Sequence, residues 1–306
     1  MGEEGRPADA EAEAFEACRG LLFSVAYRML GTVADAEDIV QDAWLRWSGA
    51  QRAKVEDPKA YLVRVVTNTA IDRLRSARTR RESYVGPWLP EPVLTSPDVA
   101  EDVELAESVS LAMLVVLETL SPLERAVFVL REVFAFSHAE IAATLDRSEA
   151  SVRQVAHRAR RHVTERRSRF TPDRAERRRV TEEFVAATLG GDLERLLAVL
   201  APDVVLVTDG GGKRTAARRP LEGAELVGRF LVGIGQRPYD GVAVEDMTVE
   251  LADVNGVPGV IIRGGGQVLS AMAAEVGDGR VRTLHLVANP DKLHAVHERR
   301  EVPLSR

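Results

Sequence analysis

Apolar residues recur at helical spacing from residue 10 to residue 82, with almost no glycine among them. A period near 3.6 predicts amphipathic helices there. Residues 83–98, SYVGPWLPEPVLTSPD, break the pattern: four prolines in sixteen positions exclude a helix and predict a linker. Helical periodicity returns over 99–170. From about residue 176 a helix, AERRRVTEEFVAATLGGDLERLLAVL, leads into short β-rich runs: DVVLVTD, DMTVELADV, GVIIR, QVLSAMAAEV and VRTLHLV. Glycine-rich turns separate these runs. The expected fold is multidomain, two all-α modules followed by an α+β module.

Local signals sharpen the second module. SHAE at Ser137–Glu140 fits a capping box. The short helix AEIAATL then meets the turn DRS, and Ser148 is a good N-cap for EASVRQVAHRARRHVTER. Val152, Val155, Ala156 and Ala159 form one apolar stripe, which turns Arg153, Gln154, His157, Arg158 and Arg161 outward. A short helix, a tight turn and a longer helix with polar residues near its start is helix-turn-helix geometry, whose second helix reads base edges in the major groove. Arg147, Ser148 and Ser151 belong to the same surface.

Charge strengthens that reading. The formal net charge is −6, yet Arg153 to Arg169 holds seven arginines and two histidines against one acid, Glu165. A solvated cationic face is the bland alternative; capping, turn and stripe together favour contacts with DNA phosphates. A second basic stretch, Arg73, Arg75, Arg78, Arg80 and Arg81, continues the helix DPKAYLVRVVTNTAIDRLRSARTRRE, in which Pro58 suits a helix start. Its apolar positions Leu62, Val65, Val66, Ile71 and Leu74 face a core, leaving Asn68, Asp72, Arg73 and Arg75 accessible. Two basic helices joined through a proline-rich linker suggest two DNA contacts at a flexible spacing. Upstream, DAEDIVQDAWLRW places four acids and two tryptophans on one helix. Acids around aromatic anchors favour a protein partner, packing of Trp44 and Trp47 on neighbouring helices is the bland alternative, and both are expected to hold in part.

Composition removes other classes. The longest strictly apolar run is LAMLVVL, Leu111–Leu117, far short of the roughly 20 residues that span a bilayer. The acidic start shows no secretory signal, and Cys18, the single cysteine, excludes an internal disulfide. A cytoplasmic protein without metal or cofactor is expected. DGGGK at Asp209–Lys213 is not a phosphate loop, because Val207 and Arg214 stand where that signature needs glycine and Ser/Thr. A glycine run between β segments is more simply a turn with positive φ angles, whose acid and lysine could pair with a neighbouring domain.

These residues resemble the extracytoplasmic-function (ECF) group of sigma-70 factors of bacterial RNA polymerase. LFSVAYRMLGTVADAEDIVQDAWLRW is similar to region 2. The resemblance implies docking on the polymerase core (β′ and β subunits) through Asp35, Glu37, Asp38, Gln41 and Trp44. DPKAYLVRVVTNTAIDRLRSARTRR resembles the part of region 2 that melts and reads the −10 element. LSPLERAVFVLREVFAFSHAEIAATLDRSEASVRQVAHRARRHV resembles region 4, which reads the −35 element. Asp146 and Arg147 occupy a turn where many relatives carry glycine. Gln154 and Arg153 fill positions where serine and lysine are frequent, which leaves the promoter sequence open.

Residues 176–306 look like a SnoaL-like domain, with the cone-shaped fold of nuclear transport factor 2 and ketosteroid isomerase. One ECF subgroup carries such an extension with three motifs, all present here. They are WLPEP (Trp88, Leu89, Pro90, Glu91, Pro92), DGGGK (Asp209, Gly210, Gly211, Gly212, Lys213) and NPDKL (Asn289, Pro290, Asp291, Lys292, Leu293). The resemblance implies region 2 at 10–82, a linker at 83–98, region 4 at 99–170 and a regulatory domain at 176–306, often with no membrane anti-sigma factor. We expect the three motifs to lie together as an interdomain contact. An enzyme reading would instead place Asp209, Asp240, Arg263 or His285 around a pocket; a small ligand there is a further alternative, although fold alone does not grant function.

Overall fold

The computed structural model describes residues 7–49, 55–96, 103–166 and 173–299, without the side chains of 7–11, 77–82 and 103–104. Arg78, Arg80 and Arg81 thus lie outside the described side chains. The chain forms two compact units, one of residues up to 80 with 116–166, the other of 81–115 with 167–302.

The first unit is helical: α1 (Pro7–Leu30), α2 (Val33–Ser48) and α3 (Pro58–Glu82) precede the end of α5 (Leu111–Glu118), α6 (Pro122–Phe128), α7 (His138–Leu145) and α8 (Glu149–Arg166). Pro58 opens α3 beneath an Asp57 carboxylate that accepts from the Ala60 N–H at 3.0 Å, the N-terminal use of proline. Ser121 and Ser137 start α6 and α7 with complete capping boxes. Between them Val129–Val133 forms a π turn, which periodicity did not announce.

One buried cation ties this unit together. Arg125 of α6 donates from Nε to the Arg28 carbonyl of α1 at 3.0 Å and pairs with Glu118 at 2.5 Å. Burial lowers its pKa to about 9, which leaves it charged at neutral pH. Arg28, also fully buried, lies with its guanidinium carbon 5.2 Å from the Phe134 ring centroid.

The second unit is built on a six-stranded mixed sheet in the order β2-β1-β6-β5-β4-β3. Its strands are β1 (Leu200–Asp209), β2 (Leu221–Glu222), β3 (Thr248–Val254), β4 (Val257–Gly264), β5 (Gln267–Gly277) and β6 (Arg280–Val287). Only the β1–β6 pairing is parallel among those recorded. The helices α9 (Arg174–Leu189), α10 (Leu193–Val199) and α11 (Ala224–Gly235) cover one face. There Val180, Phe184, Leu196 and Leu231 pack on Leu206, Met272, Leu284 and Leu286. This is the α+β architecture expected of the C-terminal region.

Two local expectations change. The helix expected across 176–200 breaks at Gly190–Gly191: Gly191 takes φ +63° and Asp192 caps a new helix through the Arg195 N–H at 3.0 Å. The proline-rich segment is not a free linker. Leu89 and Val93 are buried, and the opposite sheet face packs on Leu89, Leu111 and Val296, the last from α12 (His294–His297). The Val93 N–H reaches the Asn255 side chain at 3.0 Å, and the Thr95 N–H reaches the Asp253 carbonyl at 3.1 Å. Residues 83–96 are therefore a strap bound to the sheet, together with α4 (Val103–Val109).

Replacing Arg125 with alanine strands the buried Arg28 carbonyl and the Glu118 carboxylate. A loss of about 3–5 kcal/mol is expected in urea unfolding, with a smaller loss for Arg125→Met.

Candidate functional site

The helix-turn-helix forms as its local chemistry dictates. Asp146 closes α7 in the left-handed region at φ +52°, a conformation Asp tolerates better than most side chains. The Ser148 hydroxyl then accepts from the Ser151 N–H at 3.2 Å to start α8. Val152, Val155, Ala156, Ala159 and Val163 are buried. Arg147, Ser148, Arg153, Gln154, His157, Arg158 and Arg161 are exposed, and Ser151 is half-buried.

Several of these cations rest on weak internal partners. Arg153 pairs with Glu149 at 2.5 Å, Arg158 with Glu124 at 3.6 Å and Arg161 with Glu165 at 3.7 Å. Exposed pairs are worth about 0–1 kcal/mol, so these arginines can exchange partners at little cost.

On α3, Asp72 and Arg75 are exposed and paired with each other at 3.0 Å. Asn68 and Arg73 are half-buried, because tertiary partners take their polar ends. The Asn68 amide donates to the Arg64 and Thr144 carbonyls at 2.9 and 3.0 Å. Arg73 reaches α2, with Nε 2.9 Å from Asp35 and a terminal nitrogen 2.9 Å from Asp38. The acid rim and the basic helix, expected to serve different partners, are bonded to each other. Gln41 is exposed and Glu37 half-buried. Trp44 meets Phe15 edge-on at 5.0 Å, and Trp47 is buried beside Tyr61, so packing accounts for much of both tryptophans.

In the second unit the three motifs converge on Asp209, which is fully buried at the end of β1, so their contact lies within that unit rather than between domains as expected. One carboxylate oxygen accepts from the Tyr84 hydroxyl at 2.6 Å and the Gly211 N–H at 3.0 Å. The other accepts from the Leu89 N–H at 2.8 Å and Lys292 Nζ at 2.7 Å. Lys292 also donates to the Leu89 carbonyl at 2.6 Å and sits 4.0 Å from the Trp88 ring centroid and 4.9 Å from that of Tyr84. The Asn289 amide donates to the Tyr84 hydroxyl at 2.8 Å, while its oxygen caps the Asp291 N–H at 3.1 Å. Gly211 takes φ +60° directly against Asn289, and a Cβ there would collide with that amide. Gly210 is buried and Gly212 exposed; Pro90, Glu91, Pro92 and Leu293 are buried, with Pro290 half-buried. Lys213 and Asp291 form an exposed pair at 2.5 Å.

Tyr84, which the motifs did not single out, is central. Burial first, then the hydrogen bond to Asp209, pushes its pKa well above the usual phenol value, so it remains a proton donor. An aromatic residue four positions ahead of Trp88 in a polar stretch was the available signal.

The alternative catalytic residues do not converge. Asp209 spends about four acceptor positions, the full capacity of a carboxylate, on the four donors above. Asp240 holds Arg214 at 2.8 Å and Arg263 holds Glu250 at 3.1 Å. His285 lies 3.5 Å from Glu275; it aligns with Val207 and Ala273 on the strap-side face, away from α9–α11.

The family profile for Sigma-70 region 2 matches residues 14–80, and that for Sigma-70 region 4 matches residues 110–163. The ECF RNA polymerase sigma factor SigJ of Mycobacterium tuberculosis is 43% identical, covering 97% of this chain and 98% of its own. The chain belongs to the ECF RNA polymerase sigma factors of the sigma-70 family. The crystal structure of that SigJ matches with a TM-score of 0.73 at 41% identity, covering 93% of this chain and 98% of that one. Another relative, the probable ECF sigma factor SigI of M. tuberculosis, is 33% identical over 93% of this chain and 95% of its own. Among the described residues no helix is long and apolar enough to cross a membrane.

Burial holds His285 down to about pKa 4 and Glu275 up to about 7. The histidine's contribution to stability is full above its unfolded value near 6.5 and is lost as pH falls towards 4. That of the glutamic acid is full below 4.5 and is lost as pH rises through 7. His285→Gln should therefore flatten the acid limb of stability and Glu275→Gln the neutral limb. Each effect is about 2–3 kcal/mol, read from urea midpoints between pH 4 and 8.

Proposed function

We propose that this sigma factor binds core RNA polymerase, docking on β′ and β through the α2 rim, and directs it to promoters. In this reading α8 reads the −35 element and the exposed side of α3 the −10 element. The observation that carries it is α8 itself, with an apolar stripe wholly buried and Gln154, His157 and the arginines turned outward beside a capped turn. Promoter-dependent run-off transcription with core polymerase tests it; a chain that binds DNA but starts no transcript would be a repressor instead.

The C-terminal domain, in this proposal, regulates in cis and catalyses nothing. A saturated, buried Asp209 cannot take up a substrate proton without breaking its own lock, and the other polar candidates are engaged apart from it. What the domain does hold is the strap between regions 2 and 4. A domain shifts an equilibrium only through contacts that differ between its states, and by fixing the strap the lock sets the surface that the domain presents for such contacts. The protein works where its polymerase does, in the cytoplasm.

Arg153→Ala or Gln154→Ala should cost about 1–3 kcal/mol in promoter affinity and relax specificity at one base, if the residue reads a base. A phosphate contact should instead lower the salt slope by about 1. No change in either would remove α8 from the interface.

Tyr84→Phe deletes the hydrogen bond to a buried carboxylate, worth about 1.5–3 kcal/mol, together with the one accepted from the Asn289 amide. It should change transcript yield without altering the preferred promoter. Unchanged yield, with the domain's unfolding midpoint measurably lowered, would make the lock purely structural.

A further inference from the structure

Two regions that should read separate DNA elements are bonded to each other within the first unit. Residues 14–80 match region 2 and residues 110–163 match region 4. A turn between α6 and α7 makes two of the contacts between them. Val129–Val133 winds as a π turn, and Ala135 takes φ +55°. Left-handed backbone at a residue other than glycine persists where its surroundings over-determine it. Here the Phe136 N–H donates to the Leu130 carbonyl at 3.0 Å, and Arg131 donates to the Phe136 carbonyl at 2.9 Å.

The turn brings two phenylalanine rings onto two cations of region 2. The Arg28 guanidinium carbon is 5.2 Å from the Phe134 centroid, and Lys59 Nζ is 5.8 Å from that of Phe136. Cations within about 6 Å of a ring centroid are attracted to its face. The Asn68 amide, bonded to the Thr144 carbonyl at 3.0 Å, and Arg125, bonded to the Arg28 carbonyl at 3.0 Å, complete the contact.

This arrangement is too short for a promoter. Thr144 stands four residues before Ser148, the cap of α8. Chain reach and helix rise then keep Arg153 and Gln154 within about 30 Å of the Asn68 amide. The −10 and −35 elements are named for positions about 25 nucleotides apart, or about 85 Å at 3.4 Å per nucleotide. Bending the DNA smoothly through about 90° shortens that span by only about a tenth. Both elements cannot be read while this contact holds.

We propose that the turn carrying Phe134 and Phe136 is an autoinhibitory clasp. It holds region 2 on the helix-turn-helix in the free chain, and it opens before α3 and α8 read their elements together. The inference rests on the reading of those two helices as promoter-binding. Core polymerase and promoter open the clasp by binding the open form better. Until they do, apparent affinity is reduced by the small fraction of chain that is open.

The test places a fluorescent donor and acceptor on Glu56→Cys and Ala139→Cys in a full chain carrying Cys18→Ser. Both sites are exposed, and each lies three residues from the Lys59–Phe136 contact. Energy transfer should be high in the free chain and low in the complex with core polymerase and promoter, where footprinting records which elements are covered. Lys59 is exposed, so Lys59→Glu spares the core while setting a carboxylate against the negative face of the ring. It should lower transfer in the free chain. The chain concentration giving half-maximal run-off transcription should fall about two- to fivefold, as loss of one exposed cation–π contact implies. Phe136→Ala should act in the same direction. High transfer in a complex whose footprint covers both elements overturns the clasp and leaves the reading of α3 and α8 standing. High transfer with one element or neither covered removes both. Low transfer in the free chain, or variants that loosen it without lowering the half-maximal concentration, also overturns the proposal.

Discussion

The buried pair between Asp209 and Lys292 is the constraint on which the second unit depends. Stripping two ions of water costs several kcal/mol each, and only a complete set of partners makes that tolerable. The carboxylate has four donors; the ammonium has two oxygens and two aromatic faces. The groups come from three places in the chain: the strap, the glycine turn and the segment after β6. Satisfying one ion pair therefore fixes the exit of β1, the path of residues 84–89 and the Asn289–Leu293 turn together. The glycines follow from this, since Gly211 must offer its N–H to Asp209 while passing Asn289 with no room for a side chain.

The first unit uses charge in the opposite way. Apart from the buried Arg28 and Arg125, several of its described arginines stand at the surface in pairs that water and salt already weaken. Arg160 with Glu132 at 2.7 Å and Arg153 with Glu149 at 2.5 Å keep the cationic helix from repelling itself in the free protein, and both can be released for about 1 kcal/mol or less. Arg73 is intermediate. Held by Asp35 and Asp38 together, it costs more to free than a single exposed pair, and freeing it also changes the acidic rim proposed to face polymerase. These surface contacts are shallow and open to exchange, and the lock of the second unit is deep.

Much of this was legible in the sequence because it depends on local chemistry. The Ser137 capping box, the proline start of α3, the apolar stripe of α8 and the β runs are set by residues within one or two turns of each other. The convergence of WLPEP, DGGGK and NPDKL was expected from resemblance, and the structure brings the three motifs together. What could not be read were features decided by partners far away in the chain. Asn68 is read as accessible until Thr144 arrives across 76 residues, and Arg73 until Asp35 does across 38. Prolines correctly excluded a helix at 83–98, but they say nothing about whether an extended segment stays free. Burial of Leu89 and Val93, at about 1.5–3 kcal/mol each, with main-chain bonds to Asn255 and Asp253, is enough to bind it to the sheet. The break at Gly190–Gly191 was visible in the letters and outweighed by periodicity on either side.

A strap held this way limits how regulation can operate. Its release would expose two apolar side chains and leave a buried carboxylate and a buried ammonium without their main-chain partners. Even about 4 kcal/mol would keep the released form near one molecule in a thousand, since each 1.4 kcal/mol is a factor of ten. A signal that opened it would have to favour the open form by more than that, because a ligand moves such an equilibrium only by its difference in affinity for the two forms. The strap is thus better regarded as a permanent part of the C-terminal domain than as a latch that opens in each round of transcription. In the proposed regulation in cis the domain would act through what it presents at its surface, such as the exposed Lys213–Asp291 pair, while the buried pair holds that surface in place.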